Sequence, residues 1–121
     1  MSPPTRPRAA PRRTAVTGAA PIFAALGDET RLRLVSRLCA GGPLSIVQLT
    51  GGSGVTRQAV TKHLHVLGEA GLVRDSREGR ERRFELDPSR LDEARRALDV
   101  ISKQWDHTLG RLKEFLERSG R

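Results

Sequence analysis

The stretch GVTRQAVTKHLHVL, residues 54–67, decides how the rest of the chain is read. Thr56 has the chemistry of a helix N-cap, Val55 and Val60 bracket it as a hydrophobic staple, and Gly68 and Gly71 mark the exit. At about 100° per residue, Arg57, Thr61, His65, Gln58 and Lys62 fall on one continuous arc. Val60, Leu64 and Leu67 gather on the far side. The front carries the side chains that reach base edges and phosphates: Arg and Gln for two-point contacts to bases, Thr and Lys for the backbone. By itself such an arc is more often an ordinary solvated face, so the neighbouring segments decide.

Upstream, Ser45 and Gln48 form an S-x-x-Q capping box, with Leu44 and Leu49 placed as a staple, and TGGSG ends that helix. A short helix, a glycine-containing turn and a second helix are the signature of a helix-turn-helix. Before them, PIFAALGDETRLRLVSRLCAGG reads as two helices. Pro21 opens the first and Gly27 stops it. Asp28 caps the second, whose Leu34, Val35 and Leu38 sit at core spacing before Gly41 and Gly42. Downstream, LVRDSREGRERRFEL changes period. Leu72 and Val73 open a strand, REGR is a turn centred on Gly79, and Arg82, Phe84 and Leu86 alternate with charged neighbours. This predicts a two-stranded hairpin with a basic tip. Helix pair and hairpin together describe a winged helix, one helix in the major groove and a wing over the backbone or minor groove.

From Pro88 onward Leu91, Leu98, Trp105 and Leu112 recur every seven residues, as do Ala94, Ile101, Thr108 and Phe115. One amphipathic helix of about 30 residues, roughly 45 Å long, follows. So small a body cannot cover that stripe, and each large apolar side chain left in water forgoes about 1.5–3 kcal/mol. A second copy of the chain solves the problem. The expected interface combines Ile22 and Phe23 of the first helix with Leu98, Ile101, Trp105, Leu109 and Leu112 of the last. Twofold pairing sets two reading helices about one DNA turn apart, which predicts a palindromic site.

The chain has 121 residues and a formal net charge of +8, suited to one small domain drawn to phosphate polyanions. Residues 1–20 carry Arg6, Arg8, Arg12 and Arg13 and no acid, so half of that excess is in the N-terminal segment. With four of the seven prolines and few large apolar residues, this segment is expected to be a disordered basic arm, lying along DNA phosphates or simply a variable tail. The single cysteine, Cys39, excludes an internal disulfide and a cysteine-only zinc site. It closes an apolar helix stripe and reads as a small buried hydrophobe. No apolar run approaches the roughly 20 residues needed to cross a bilayer, and no secretory block is present, so a cytoplasmic protein without a membrane partner is expected.

Nothing assembles an enzyme: GGSG lacks the Lys-Ser/Thr of a phosphate loop, and the serines and histidines stand in no nucleophilic arrangement. His63 and His65 fall about 160° apart around their helix and cannot grip one ion; His63 borders the apolar stripe as a packed residue. No cofactor and no effector is indicated.

The segments ALGDETRLRLVSRL, LSIVQLTGGSGVTRQAVTKHLHVLGEAGLV and REGRERRFELDP resemble the ArsR family of winged-helix repressors, over about residues 22–88. The resemblance implies a homodimer that binds an inverted-repeat operator near its own promoter and releases it on a signal. The family's metal-sensing members carry Cys-x-Cys in the third helix; here Leu44, Ser45, Ile46, Val47, Gln48 and Leu49 stand there, without a thiolate. On the last helix His107 is alone beside Asp106. The segment LDEARRALDVISKQWDHTLGRLKEFLE is similar to the metal-independent branch encoded beside START-like (SRPBCC) proteins.

The expectation is therefore a mainly α protein with a small β-hairpin, in the order α-α-α-α-β-β-α. Residues 1–20 form an arm, 21–88 the winged helix-turn-helix domain and 89–118 a dimerisation helix. Double-stranded DNA is the partner. Arg57 and Gln58 read bases, Thr56, Thr61 and Lys62 hold phosphates, His65 faces out beside them, and Arg77, Arg80 and Arg82 anchor the wing. The rival readings are a winged helix that meets an acidic protein instead, and a metal-responsive repressor using His107 and His63.

Overall fold

The computed structural model describes residues 16–120. After a 3-10 turn at Thr17–Ala19 come α1 (Ala20–Leu26), α2 (Glu29–Gly41), β1 (Leu44–Ser45), α3 (Ile46–Thr50), α4 (Arg57–Glu69), β2 (Val73–Glu78), β3 (Glu81–Leu86) and α5 (Pro88–Ser119). Most of the expected arm lies outside the described residues. Its last five residues are described, and they run through the 3-10 turn into α1 with Ala19 fully buried. Helical structure thus begins before residue 21, because Ala19 can be buried at no side-chain entropy cost. No described helix is long and apolar enough to cross a membrane.

Residues 20–92 form one compact unit. Its core comes from its four short helices and the hairpin: Ile22 of α1, Leu34 and Leu38 of α2, Leu49 of α3, Val60, Leu64 and Leu67 of α4, Val73 and Phe84 of the hairpin. Ile22, at 1% exposure, is consumed by this core and has no surface left for an interface, contrary to the sequence expectation; its neighbour Phe23 is half-buried and keeps some. Cys39 is exposed, another correction. One residue beyond Leu38, it is turned about 100° from the line on which Leu34 and Leu38 enter the core.

Two arginines of α2 close the short helices on either side. Arg37 donates to the carbonyls of Gln48 (2.8 Å), Leu49 (2.8 Å) and Gly51 (3.2 Å), the free carboxyl end of α3. Arg31 donates from Nε to the Ala25 carbonyl near the end of α1 (2.6 Å). The start of α3 is held by the expected capping box, Ser45 Oγ accepting from the Gln48 amide (3.2 Å) and Gln48 Oε1 from the Ser45 amide (2.9 Å).

The sheet has three strands, not two, in the order β1-β3-β2 and antiparallel throughout. Leu44 and Ser45, expected only as staple and cap, also pair with Phe84 and Arg83, which ties the start of α3 to the hairpin. The hairpin turns over Gly79 and Arg80; the positive φ at Gly79 (66°) alone is the pattern of a type II′ turn. At the end of α4, Gly71 (φ 79°) lets the Leu72 amide reach the Leu67 carbonyl and the Gly71 amide the Gly68 carbonyl, both at 2.9 Å, a Schellman closure.

Residues 93–120, with residues 16–19, belong to a second unit. Its helix α5 has 32 residues in all, about 48 Å at 1.5 Å per residue. Asp87 begins it by accepting from the Ser89 amide (3.0 Å) and hydroxyl (2.8 Å).

Two outcomes follow. Arg37→Ala leaves three carbonyls without their cation and, with the guanidinium partly in water, is expected to cost about 1–2 kcal/mol in denaturant unfolding, with early loss of amide protection in α3. Asp28 accepts from the Arg31 amide, and Asp87 from Ser89; these bonds hold both carboxyls below the ordinary value of 3.8. A lowered folded-state pKa gives stability that is complete above the unfolded value and is lost as pH falls through the folded one. Unfolding midpoints should therefore begin to fall on this account only below about pH 4, and less steeply in an Asp28→Ala, Asp87→Ala variant.

Candidate nucleic-acid interface

Helix α4 is fixed in rotation by its back. Val60 and Leu67 are fully buried and Leu64 nearly so, so the opposite face is turned out. Thr56 caps the helix by accepting from the Ala59 amide (3.1 Å). Thr56, Arg57, Gln58, Thr61 and Lys62 are all exposed and together line one shallow surface depression. Thr61 Oγ1 donates to the Arg57 carbonyl (2.9 Å). Arg57 and Lys62 pair with no carboxylate among the described residues.

His65 sits differently. It is exposed, but its Nε2 meets Glu69 Oε2 at 3.3 Å, and it lines a separate cleft of about 320 Å³ between α4 and the wing. Thr61 touches both depressions; Asp75, Arg82 and Phe84 form the cleft's wing side. His63 is half-buried, as its place beside the apolar stripe predicts. Its Nδ1 lies 3.3 Å from Arg31 Nη1 and 3.9 Å from Asp28 Oδ2. A guanidinium only donates, so in the contact with Arg31 Nδ1 is the acceptor. His63 thereby links the start of α2 to the middle of α4.

The wing separates its charges by face. Strand alternation puts Arg74, Arg83, Glu78, Glu81 and Glu85 on one side, where Arg74 pairs with Glu85 (3.0 Å) and Arg83 with Glu81 (3.1 Å) and Glu78 (3.6 Å). Asp75, Arg77 and Arg82 share the other side, with Phe84. Arg77 and Arg80 pair with no carboxylate among the described residues. Arg82, expected with Arg77 and Arg80 to anchor the wing, is bound by Asp75 (3.0 Å) and lies over the Phe84 ring (5.1 Å). The sequence expectation missed this because Asp75 and Arg82 become neighbours only through the strand register.

Among the described residues no three His, Cys, Asp or Glu side chains come together as a metal would need. Ser45 and Gln48 bond one another in the capping box, and the segment from Leu44 to Leu49 holds no thiol.

On α5 the stripe of Leu98, Ile101, Trp105, Leu109, Leu112, Phe115 and Leu116 is exposed along its whole length, 43–61% per residue, whereas Ala94 and Ala97 are buried.

Residues 26–75 match the family described as "Helix-turn-helix domain". The chain is 38% identical over 96 residues to the HTH-type transcriptional regulator Rv2034 of Mycobacterium tuberculosis, covering 79% of this chain and 86% of that one. Its fold is similar to the ArsR-like transcriptional regulator from Rhodococcus sp. RHA1, with a TM-score of 0.68, 36% identity, and coverage of 82% of this chain and 92% of that one. It is also similar to the AntR antimony-specific transcriptional repressor, with a TM-score of 0.55, 25% identity, and coverage of 87% and 99%. A capped helix with an exposed polar face, a hairpin wing and this degree of shared sequence agree: the chain belongs to the ArsR family of helix-turn-helix transcriptional regulators.

Proposed function

We infer that this chain is a repressor that binds an inverted-repeat operator in double-stranded DNA as a homodimer, and that its signal is not a metal held by α3 thiolates. The observation that carries the reading is the exposed depression lined by Thr56, Arg57, Gln58, Thr61 and Lys62, whose two cations no described carboxylate neutralises. Arg57 and Gln58 stand in the first turn of α4, where a helix entering the major groove meets base edges. Lys62 and Thr56 flank them on the side of the phosphates, and Arg77 and Arg80 place the wing tip on the backbone. Repression, as the sign of regulation, is supported by the antimony-specific repressor's similarity to this chain.

The second copy is supported by α5. Seven large apolar side chains in a stripe far longer than one turn stay in water in the single chain, a state that association relieves. Phe23 extends the same demand to α1.

Arg57→Ala or Gln58→Ala is expected to cost about 1–3 kcal/mol on the operator and much less on random duplex, measured by anisotropy titration. Lys62→Ala should weaken both duplexes alike and lower the slope of log K against log salt by about one. Equal losses on both duplexes for Arg57 and Gln58 would remove them from base reading. Binding that salt erases entirely, with no preference for any duplex, would point to a protein partner in place of DNA. Trp105→Asp should sediment as a monomer at concentrations where the parent is a dimer; an unchanged dimer would take α5 out of the interface.

A further inference from the structure

The wing face shared by Asp75, Arg77 and Arg82 holds an arrangement that duplex binding alone does not explain. Arg77 and Arg82 stand directly opposite each other on the β2–β3 ladder, a like-charged pair that repels. Asp75, diagonal to Arg82, holds it at two points, from Nη2 to Oδ2 at 3.0 Å and from Nε to Oδ1 at 3.3 Å. The Phe84 ring supports the guanidinium from the same side. Asp75 and Arg82 line the cleft shared with Thr61 and His65 of the reading helix. Arg82 therefore reaches the surface a duplex would meet already neutralised, while Arg57, Lys62, Arg77 and Arg80 reach it uncompensated.

We propose that Asp75 is a specificity-determining residue for duplex binding: by occupying Arg82 it withholds a phosphate contact that every sequence would otherwise receive. The inference rests on the DNA-binding reading above. A cation on phosphate strengthens binding to all sequences alike, so leaving one unavailable keeps the sequence-independent part weak and lets the base contacts of α4 decide.

The test is an anisotropy titration of the full chain, from about 0.05 to 0.3 M salt, against a duplex from its own promoter and a scrambled duplex of equal length. Asp75→Asn keeps an acceptor for Arg82 and removes the charge. It is expected to tighten scrambled-duplex binding about 5-fold near 0.15 M salt, to steepen the salt slope by about one, and to lower the promoter-to-scrambled ratio. The double variant Asp75→Asn, Arg82→Gln should return to the parental slope, because a neutral pair replaces a neutralised one. If Asp75→Asn weakens binding or leaves the slope unchanged, or if the double variant binds as weakly as Arg82→Gln alone, Asp75 only positions Arg82 and the proposal is overturned. Denaturation midpoints of each variant separate these outcomes from loss of fold. Parental protein that binds neither duplex would overturn the DNA-binding reading itself, and this inference with it.

Discussion

The burial of Val60, Leu64 and Leu67 is the constraint from which the exposed polar face of α4 follows. A helix rotates each successive side chain by about 100°, so three buried positions leave α4 one orientation about its axis. Once they are fixed, Arg57, Gln58, Thr61 and Lys62 can only face outward, whatever their individual preferences. Turning the helix by one residue would put Thr61 and His65, or in the other sense His63, into the core, an unpaired polar group in an apolar setting, which costs several kcal/mol. Function here is a by-product of packing in the strict sense that the front is chosen by the back.

Holding α4 also requires holding its neighbours, and those are too short to hold themselves. A five-residue helix such as α3 has almost all of its backbone groups at an end, and helix formation from so short a segment is unfavourable in isolation. The chain supplies partners from both directions: the Ser45–Gln48 capping box at the start and the Arg37 guanidinium at the finish. Arg31 does the same for α1 and, through His63, reaches α4. One helix, α2, thus organises the termini around it with two cations six residues apart in sequence.

These couplings also mark where sequence reading succeeded and where it stopped. Local signals were legible: Thr56, Ser45 with Gln48, Asp28 and Gly79 each act within three or four residues, and each predicted feature is present. The reading arc on α4 was legible for the same reason, since periodicity is local. What escaped was long-range pairing. Leu44 and Ser45 as a third strand depend on Phe84 and Arg83, about 40 residues away; Arg37 meets carbonyls 11 to 14 residues on; Asp75 meets Arg82 only through the hairpin register. Ile22 and Cys39 failed for a related reason: a helix stripe predicts which side is apolar, but the width of the core decides where burial stops. The roles assigned to individual cations on the two faces of the wing therefore needed the register before they could be separated.

That separation changes how the net charge should be understood. Residues 56–86 hold seven basic and five acidic side chains, an excess of only two, so bulk charge alone gives the reading unit little attraction for DNA. The excess is concentrated by pairing. Every acid of the wing is engaged with an arginine, and Glu69 with His65, which leaves Arg57, Lys62, Arg77 and Arg80 as the uncompensated cations at the two ends of one surface. A uniformly basic patch of the same net charge would attract any polyanion equally, whereas cations set apart by neutralised pairs present a patterned field. The acids of this segment thus shape the field as much as the arginines do, and a count of basic residues would rank the protein's affinity for nucleic acid by the wrong quantity.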